Sequence, residues 1–393
     1  MTGLDYLHPQ LDKLEREGLL RRTSVSAGVG GKVWLDDGRT ILNFSSNDYL
    51  NLAQEGHVKR RAQEAIERWG CGSTASRLMC GTLALHEELE AALARLVGGE
   101  AALVFSSGFG MNVGILFAVA GRDDVIFADR LSHASLIDGA RLSGATLKRY
   151  AHNDVQSLER LLRSTPCRGH RFIVCESVFS MDGDLAPLTE LRQLATQYEA
   201  SLLVDEAHAI GIWGNGGGLG RELSRELGDL AAELTVGTLG KALGSLGGFA
   251  VCSRKTREYL VNCARSFIYS TALPPASVAA ALGAIEQIER DPAMGRRLLD
   301  LACGFHKALR AEGLRLPEFG SQILPVHVGD NRRALELATR LRERGLLVTA
   351  IRPPTVPEGS ARLRLSVTMV HSPDDLAWAA REIGSVARAM GVA

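Results

Sequence analysis

The sequence has no excess of either charge. Lys and Arg number 45 and Asp and Glu 45 among 393 residues. Proteins that grip polyanions do so with surplus cations, so this balance argues against a nucleic-acid partner. Long hydrophobic runs are also missing. The longest apolar stretches, such as 114–120, fall far short of the ~18 residues that span a bilayer. The opening Met1-Thr2-Gly3-Leu4-Asp5-Tyr6-Leu7-His8-Pro9 lacks the apolar core of a signal peptide. Seven cysteines form no CxxC pair and no even framework, which fits reduced thiols in a cytosol rather than a disulfide scaffold. These absences lead to the expectation of a soluble cytoplasmic protein with no membrane and no nucleic-acid partner. Proline is scarce at 12, while glycine reaches 42, above its usual share of about 7%. Glycine in excess without proline points to tight turns and close backbone approaches.

Short apolar runs alternate with amphipathic stretches through the middle of the chain. Strands are expected at Ala102–Phe105, Val125–Ala128, Phe172–Glu176, Leu202–Asp205, Leu234–Gly237 and Phe249–Ser253, with helices such as His86–Leu96, Asp154–Arg163 and Leu188–Tyr198 between them. This alternation is that of an α/β fold with a mostly parallel sheet, buried on both faces. After Asp291-Pro292 the pattern changes. A helix at Met294–Glu312 leads to a strand at Ile323–Val328, a helix at Arg332–Arg344, strands at Leu346–Ala350 and Arg362–Val367, and a last helix at Pro373–Met390. We therefore expect an N-terminal segment, 1–45, with a helix near Tyr6–Arg22, packing with a small α+β domain, 289–393. A large domain, 46–288, lies between them.

Ligands in such sheets sit at the carboxyl ends of the strands. After Ala102–Phe105 comes Ser106-Ser107-Gly108-Phe109-Gly110-Met111-Asn112, a glycine turn opening a helix, suited to receive a phosphate on backbone N–H groups. Such a turn is also an ordinary connection. After Leu202–Val204 come Asp205-Glu206-Ala207-His208, and after Leu234–Gly237 come Thr238-Leu239-Gly240-Lys241. A lysine just past a buried strand is suited to Schiff-base chemistry if desolvated; the alternative is a lysine whose head reaches solvent. In that order, a phosphate turn, an Asp and a Lys fit pyridoxal phosphate held as an electron sink.

Other readings fail on spacing. Asp205-Glu206-Ala207-His208 spells the DEAH box of a helicase, yet neither Gly31-Lys32 nor Gly240-Lys241 sits in the GxxxxGK[ST] loop that such an ATPase needs. The glycine run 214–220 resembles a dinucleotide turn but does not follow a strand end, and reads as a flexible loop. No GxSxG elbow and no metal-ligand spacing occurs. A catalytically dead relative that only binds or regulates is opposed by the presence of both Asp205 and Lys241.

Several longer strings carry a resemblance. They are Asn43-Phe44-Ser45-Ser46-Asn47-Asp48-Tyr49-Leu50, Ala128-Asp129-Arg130-Leu131-Ser132-His133-Ala134-Ser135, Ala151-His152-Asn153-Asp154, Ser177-Val178-Phe179-Ser180-Met181-Asp182-Gly183-Asp184, Ile268-Tyr269-Ser270-Thr271 and Ile351-Arg352-Pro353-Pro354-Thr355-Val356-Pro357. With these the chain resembles the α-oxoamine synthases, fold-type I pyridoxal-phosphate (PLP) enzymes that condense an amino acid with an acyl thioester. The Asn-Asp-Tyr-Leu and Arg-Pro-Pro-Thr-Val-Pro strings favour the oxononanoate branch of biotin biosynthesis.

The resemblance implies an aspartate-aminotransferase-like fold, with a seven-stranded, mostly parallel sheet in a large PLP-binding domain and a smaller α+β domain. It implies L-alanine and a pimeloyl thioester, of coenzyme A or an acyl-carrier protein, as substrates, with glycine C-acetyltransferase as the alternative activity. It implies a homodimer with interfacial active sites, in which Ser270-Thr271 reaches the neighbour's phosphate, and no metal. Lys241 would carry the cofactor and shuttle a proton. Asp205 would meet the pyridine nitrogen, His208 the phenolic oxygen, and His133 would stack on the ring. Gly108, Phe109 and Thr238 would hold the phosphate, with Ser180 beside the ring. Arg364 with Asn47 would bind the amino-acid carboxylate, and Arg21, or its neighbour Arg22, with Thr355 would meet the acyl substrate.

Overall fold

In the computed structural model, residues 3–23, 28, 30–34, 40–227 and 232–392 are described. The chain forms two compact units. One comprises Met1–Tyr49, Met181–Asp184 and Leu298–Ala393, the other Leu50–Ser180 and Leu185–Arg297.

The smaller unit opens with a helix, His8–Arg16, and an antiparallel pair, β1 (Lys32–Trp34) and β2 (Thr40–Asn43). The expected helix to Arg22 stops short because the chain turns at Gly18, whose φ is +65°; glycine takes that left-handed conformation without the steric cost of a Cβ.

The larger unit holds seven strands: β3 (Ala101–Phe105), β4 (Val125–Asp129), β5 (Thr146–Tyr150), β6 (Arg171–Glu176), β7 (Ala200–Asp205), β8 (Leu234–Thr238) and β9 (Gly248–Cys252). Their order in the sheet is β3-β9-β8-β7-β6-β4-β5. Only β9 runs against its neighbours; the other pairs are parallel. Successive residues on β4 feed opposite cores. Ile126 and Ala128 pack with Leu103, Val174 and Leu203 on one face, while Val125 and Phe127 pack with Ile173, Leu202 and Val204 on the other. That two-residue alternation, apolar in both directions, explains why the strands read as continuous apolar runs. The edge strand β5 escaped the sequence reading because its Thr146-Leu147-Lys148-Arg149-Tyr150 carries charge, which an edge tolerates.

The chain returns to the smaller unit with β10 (Ile323–Gly329), β11 (Leu346–Leu347), β12 (Thr349–Ile351) and β13 (Ala361–Ser366), and with helices Asn331–Glu343 and Pro373–Ala389. The single strand expected at Leu346–Ala350 is in fact two. Its first half pairs in parallel with β2 and its second half antiparallel with β13, so the segment serves two sheets and breaks between them at the buried Val348. Among the described residues no helix is long and apolar enough to cross a membrane.

Candidate active site

The carboxyl ends of β6, β7 and β8 deliver Glu176, Asp205 and Thr238 to one side of the large sheet. There they border a cavity of about 560 Å³, also lined by Gly108, Phe109, Asn112, His133, His208 and Lys241. Seven of the residues singled out from the sequence therefore meet in one place: Gly108, Phe109, His133, Asp205, His208, Thr238 and Lys241. Lys241 Nζ lies 2.8 Å from His208 Nε2. The buried Asp205 carboxylate accepts from the Asn112 side-chain amide at 2.8 Å and from Ala207 N–H at 2.9 Å, so both of its oxygens are oriented.

The glycine turn enters the helix Gly108–Val119, whose N-cap Ser107 accepts from Gly110 N–H. The N–H groups of that first turn have no intrahelical acceptor, and the helix dipole favours an anion beside them. β9 comes so close behind the turn that a Cβ on Gly248 would lie 2.7 Å from Gly108 Cα. Glycine is required there by contact. Thr238 Oγ1 donates to Gly247 O and accepts from Gly240 N–H, tying the turn before Lys241 to β9.

Ser180 is buried but does not line the cavity. Its N–H donates to Glu176 Oε2 at 3.3 Å, and the His133 N–H donates to Glu176 Oε1 at 2.7 Å. Glu176 thus joins two loops, and it went unnoticed in the sequence. The available signal was an acid ending an apolar strand, in register beside Asp205. Burial, and then the neighbouring Asp205 charge, push the Glu176 carboxyl well above the usual carboxylate range. Burial also lowers the His133 pKa; Asp205 opposes that shift and Lys241 adds to it.

Glu206 turns away from this cavity. Its carboxylate accepts from Ser177 Oγ at 2.6 Å, Leu219 N–H at 3.0 Å and Gly220 N–H at 2.6 Å. The glycine run 214–220, expected to be a flexible loop, is instead wrapped around this internal carboxyl. At Gly218, φ is +98° and a Cβ would lie 2.9 Å from Glu206 Cδ. The resemblance to a phosphate turn is therefore physical, and the group bound is the protein's own carboxyl, whose pKa burial raises.

The remaining residues singled out lie in the smaller unit, as two pairs. Arg364 Nη1 donates to Asn47 Oδ1 at 3.1 Å and Ser366 Oγ at 2.7 Å, and Nη2 to Tyr49 Oη at 3.2 Å. Tyr49 and Ser366 were missed, although both belong to strings already picked out by pattern. Arg21 Nη2 donates to Pro353 O at 3.1 Å and Thr355 Oγ1 at 3.4 Å. Arg22 instead pairs with Glu15 at 3.2 Å, so it is Arg21 that meets Thr355. Among the described residues no group of three or more His, Cys, Asp or Glu side chains could hold a metal.

Comparison with known proteins adds to this geometry. A family model described as aminotransferase class I and II matches residues 39–383. The 8-amino-7-oxononanoate synthase of Geobacter sulfurreducens is 45% identical over 385 residues, covering 98% of this chain and 98% of its own. A serine palmitoyltransferase from S. paucimobilis, solved with bound PLP and myriocin, superposes with a TM-score of 0.92 at 32% identity, covering 99% of this chain and 98% of that one. The solved 8-amino-7-oxononanoate synthase of Francisella tularensis gives a TM-score of 0.75 at 30% identity, over 89% of this chain and 98% of its own.

Proposed function

The chain belongs to the aminotransferase class I and II family and, within it, to the α-oxoamine synthases, and on that premise we propose its reaction. It condenses L-alanine with a pimeloyl thioester of coenzyme A or an acyl-carrier protein. The products are 8-amino-7-oxononanoate, a precursor of biotin, together with carbon dioxide and the free thiol. The cofactor is PLP. The observation that carries this reading is the cavity in which Lys241, His208 and Asp205 meet at the ends of adjacent strands; near-full-length likeness to oxononanoate synthases selects the branch.

The residues present fit the cofactor. A helix N-terminus backed by Gly248 offers N–H groups to a phosphate. A buried carboxylate with both oxygens fixed offers a partner to a ring nitrogen, and a lysine amine enters the same cavity. When bound, PLP supplies an electron sink that lets a bond at the amino acid's α-carbon break heterolytically.

The chain's own residues do the rest. The Gly108 and Phe109 amides would hold the phosphate, joined by the Thr238 hydroxyl once it turns from Gly247 O. Asp205 keeps the ring nitrogen protonated, and an ionised carboxylate does so best when its own hydrogen bonds stabilise the charge. His208 positions the Lys241 amine, which takes and returns the α-proton at Nζ. His133 would cover the ring face, with the Ser180 and His133 loops joined through Glu176. Arg364 and Asn47 bind the amino-acid carboxylate, and Arg21 and Thr355 meet the acyl substrate. A homodimer completes the unit of function, in keeping with the family. Leu78, Met79 and Tyr269 are exposed in the single chain, as residues of a subunit contact would be.

Purified protein should show a near-visible cofactor band that Lys241→Ala abolishes. Steady-state rates should favour a pimeloyl thioester with L-alanine. Preference for acetyl-CoA with glycine would overturn the branch, and an unchanged spectrum in Lys241→Ala would overturn the cofactor assignment. A dimer mass in solution tests the assembly.

A further inference from the structure

We propose that Asn112 and Ser135 are positioning residues that lock the His133 imidazole in its neutral Nε2–H tautomer, a role that rests on the cavity being the reaction site. The assignment follows from which groups can only donate and which can only accept. Ser135 is the second residue of the helix Ala134–Leu142, and His133 is its N-cap. The Ser135 N–H donates to His133 Nδ1 at 3.3 Å. A backbone amide cannot accept, but at 3.3 Å this bond only biases Nδ1 towards the unprotonated form, and the side-chain hydroxyl has to complete the lock. The imidazole nitrogen does the work that a Ser or Asp oxygen does at other N-caps.

A second chain of bonds supplies that hydroxyl hydrogen. Asn112 Nδ2 lies 2.8 Å from Asp205 Oδ2 and 3.0 Å from Ser135 Oγ. The Asp205 carboxylate accepts only, which fixes the Asn112 amide with its NH₂ towards it. The other amide hydrogen then points to Ser135 Oγ, which must accept. That leaves the Ser135 hydroxyl hydrogen for its remaining neighbour, His133 Nδ1, at 2.7 Å. Asn112, Ser135 and Asp205 are all buried, so bulk water does not compete for these bonds.

With the single Nδ1 lone pair shared between the hydroxyl and the weaker amide donor, whatever the ring offers a ligand comes from Nε2, as a donor. An imidazolium would set Nδ1–H against two donors, so protonation is opposed by geometry. Burial works in the same direction. His133 accordingly serves the reaction as a neutral hydrogen-bond donor rather than as a base. The charge on Asp205 reaches it through Asn112 and Ser135.

The test uses holoenzyme labelled with ¹⁵N in histidine, with the His133 resonances assigned through His133→Gln. Wild type should show the ring-nitrogen pattern of the Nε2–H tautomer across neutral pH. Ser135→Ala should admit the second tautomer and lower kcat/KM roughly tenfold, the size of one lost hydrogen bond, with the near-visible band retained. Ser135→Thr should restore both readouts, and Asn112→Ala should reproduce the tautomer mixing. Nδ1–H or imidazolium in the wild type, or unchanged shifts and kinetics in Ser135→Ala, would overturn the proposal. Absence of a cofactor band in wild type counts against the cofactor reading instead, and the tautomer is measured in either case.

Discussion

The cavity of the larger unit and the two arginine pairs of the smaller one are assembled in opposite ways. In the cavity, β3, β4, β6, β7 and β8 contribute as they end, so the glycine turn, Asp205 and Lys241 follow one another along the chain. In the pairs, Arg364 is held by Asn47 and Tyr49, 317 and 315 residues away, and Arg21 meets Thr355 across 334 residues. One site is built from the order of the sheet, the other from the two ends of the chain meeting. The first kind tolerates little change at any strand end, because its charges share one buried space. The second kind holds its guanidinium groups with neutral oxygens.

The largest contrast should come from truncating one anchor of each. Asp205→Ala removes the proposed partner of the ring nitrogen and one of the two acceptors of the buried Asn112 amide. We expect kcat to fall about 10³-fold, comparable to removal of a buried charged hydrogen-bond partner, with a shifted cofactor band. Arg364→Ala should instead leave that band unchanged and raise KM for the amino acid. A loss of about 2–3 kcal/mol in kcat/KM, roughly 100-fold, is the expected size for a charge-assisted carboxylate contact. Equal effects on the band from both variants would erase the distinction between the two sites.

Next in size is an acid sensitivity that both units share, since burial lowers His86 of the larger unit to about 4 as it does His371 of the smaller one. His371 Nδ1 accepts from Thr368 N–H at 3.0 Å, Nε2 lies 3.2 Å from Asn43 O, and the ring stacks on Phe44 at 4.5 Å. Burial lowers its pKa to about 4. Above pH ~6.5 the residue is neutral in both folded and unfolded chains and contributes nothing to pH dependence. As pH falls from ~6.5 towards ~4 the unfolded chain takes up a proton that the folded one refuses. Stability therefore drops, by about 3 kcal/mol from this residue, and levels off below. Denaturant midpoints measured across that window should fall with pH, and His371→Gln should lessen the slope.

The same comparison explains what was readable beforehand. Strand ends of the larger unit were legible because both faces are apolar and the polar residue that follows each run stands out; β6 ends in Glu176 and β7 in Asp205. Contacts across the sheet were not. Nothing in the local sequence says that Asn112 reaches Asp205, or that Glu206 turns from its neighbour into the glycine run. In the smaller unit, the helix at Asn331–Glu343 and the strand at Ala361–Ser366 were visible from periodicity. The division of 346–351 between two sheets was not, because the partner of its first half is β2, at Leu42 and Asn43, close to the other end of the chain. Gly218 sharpens this point. Gly218→Ala places a Cβ against Glu206 at a positive φ and should destabilise the larger unit by about 2 kcal/mol, measured by denaturant unfolding. A freely flexible loop would show no such loss.

The smallest expected effect separates two adjacent arginines. Arg22 and Glu15 form an exposed pair, and exposed pairs contribute on the order of 0–1 kcal/mol. Arg22→Ala should leave KM for the thioester within about twofold of wild type, a change of a few tenths of a kcal/mol. Arg21 is bound to Thr355 and the Pro353 carbonyl, so Arg21→Ala removes a guanidinium already directed towards the loop proposed to meet the acyl group. KM for the pimeloyl thioester should rise about tenfold, with KM for alanine and the cofactor band unchanged, the size of one charged contact made equally in ground and transition states. If the effects were reversed between the two arginines, the register of the N-terminal segment against residues 353–355 would be wrong by one residue. The pair would then be assembled differently from the pairing described above.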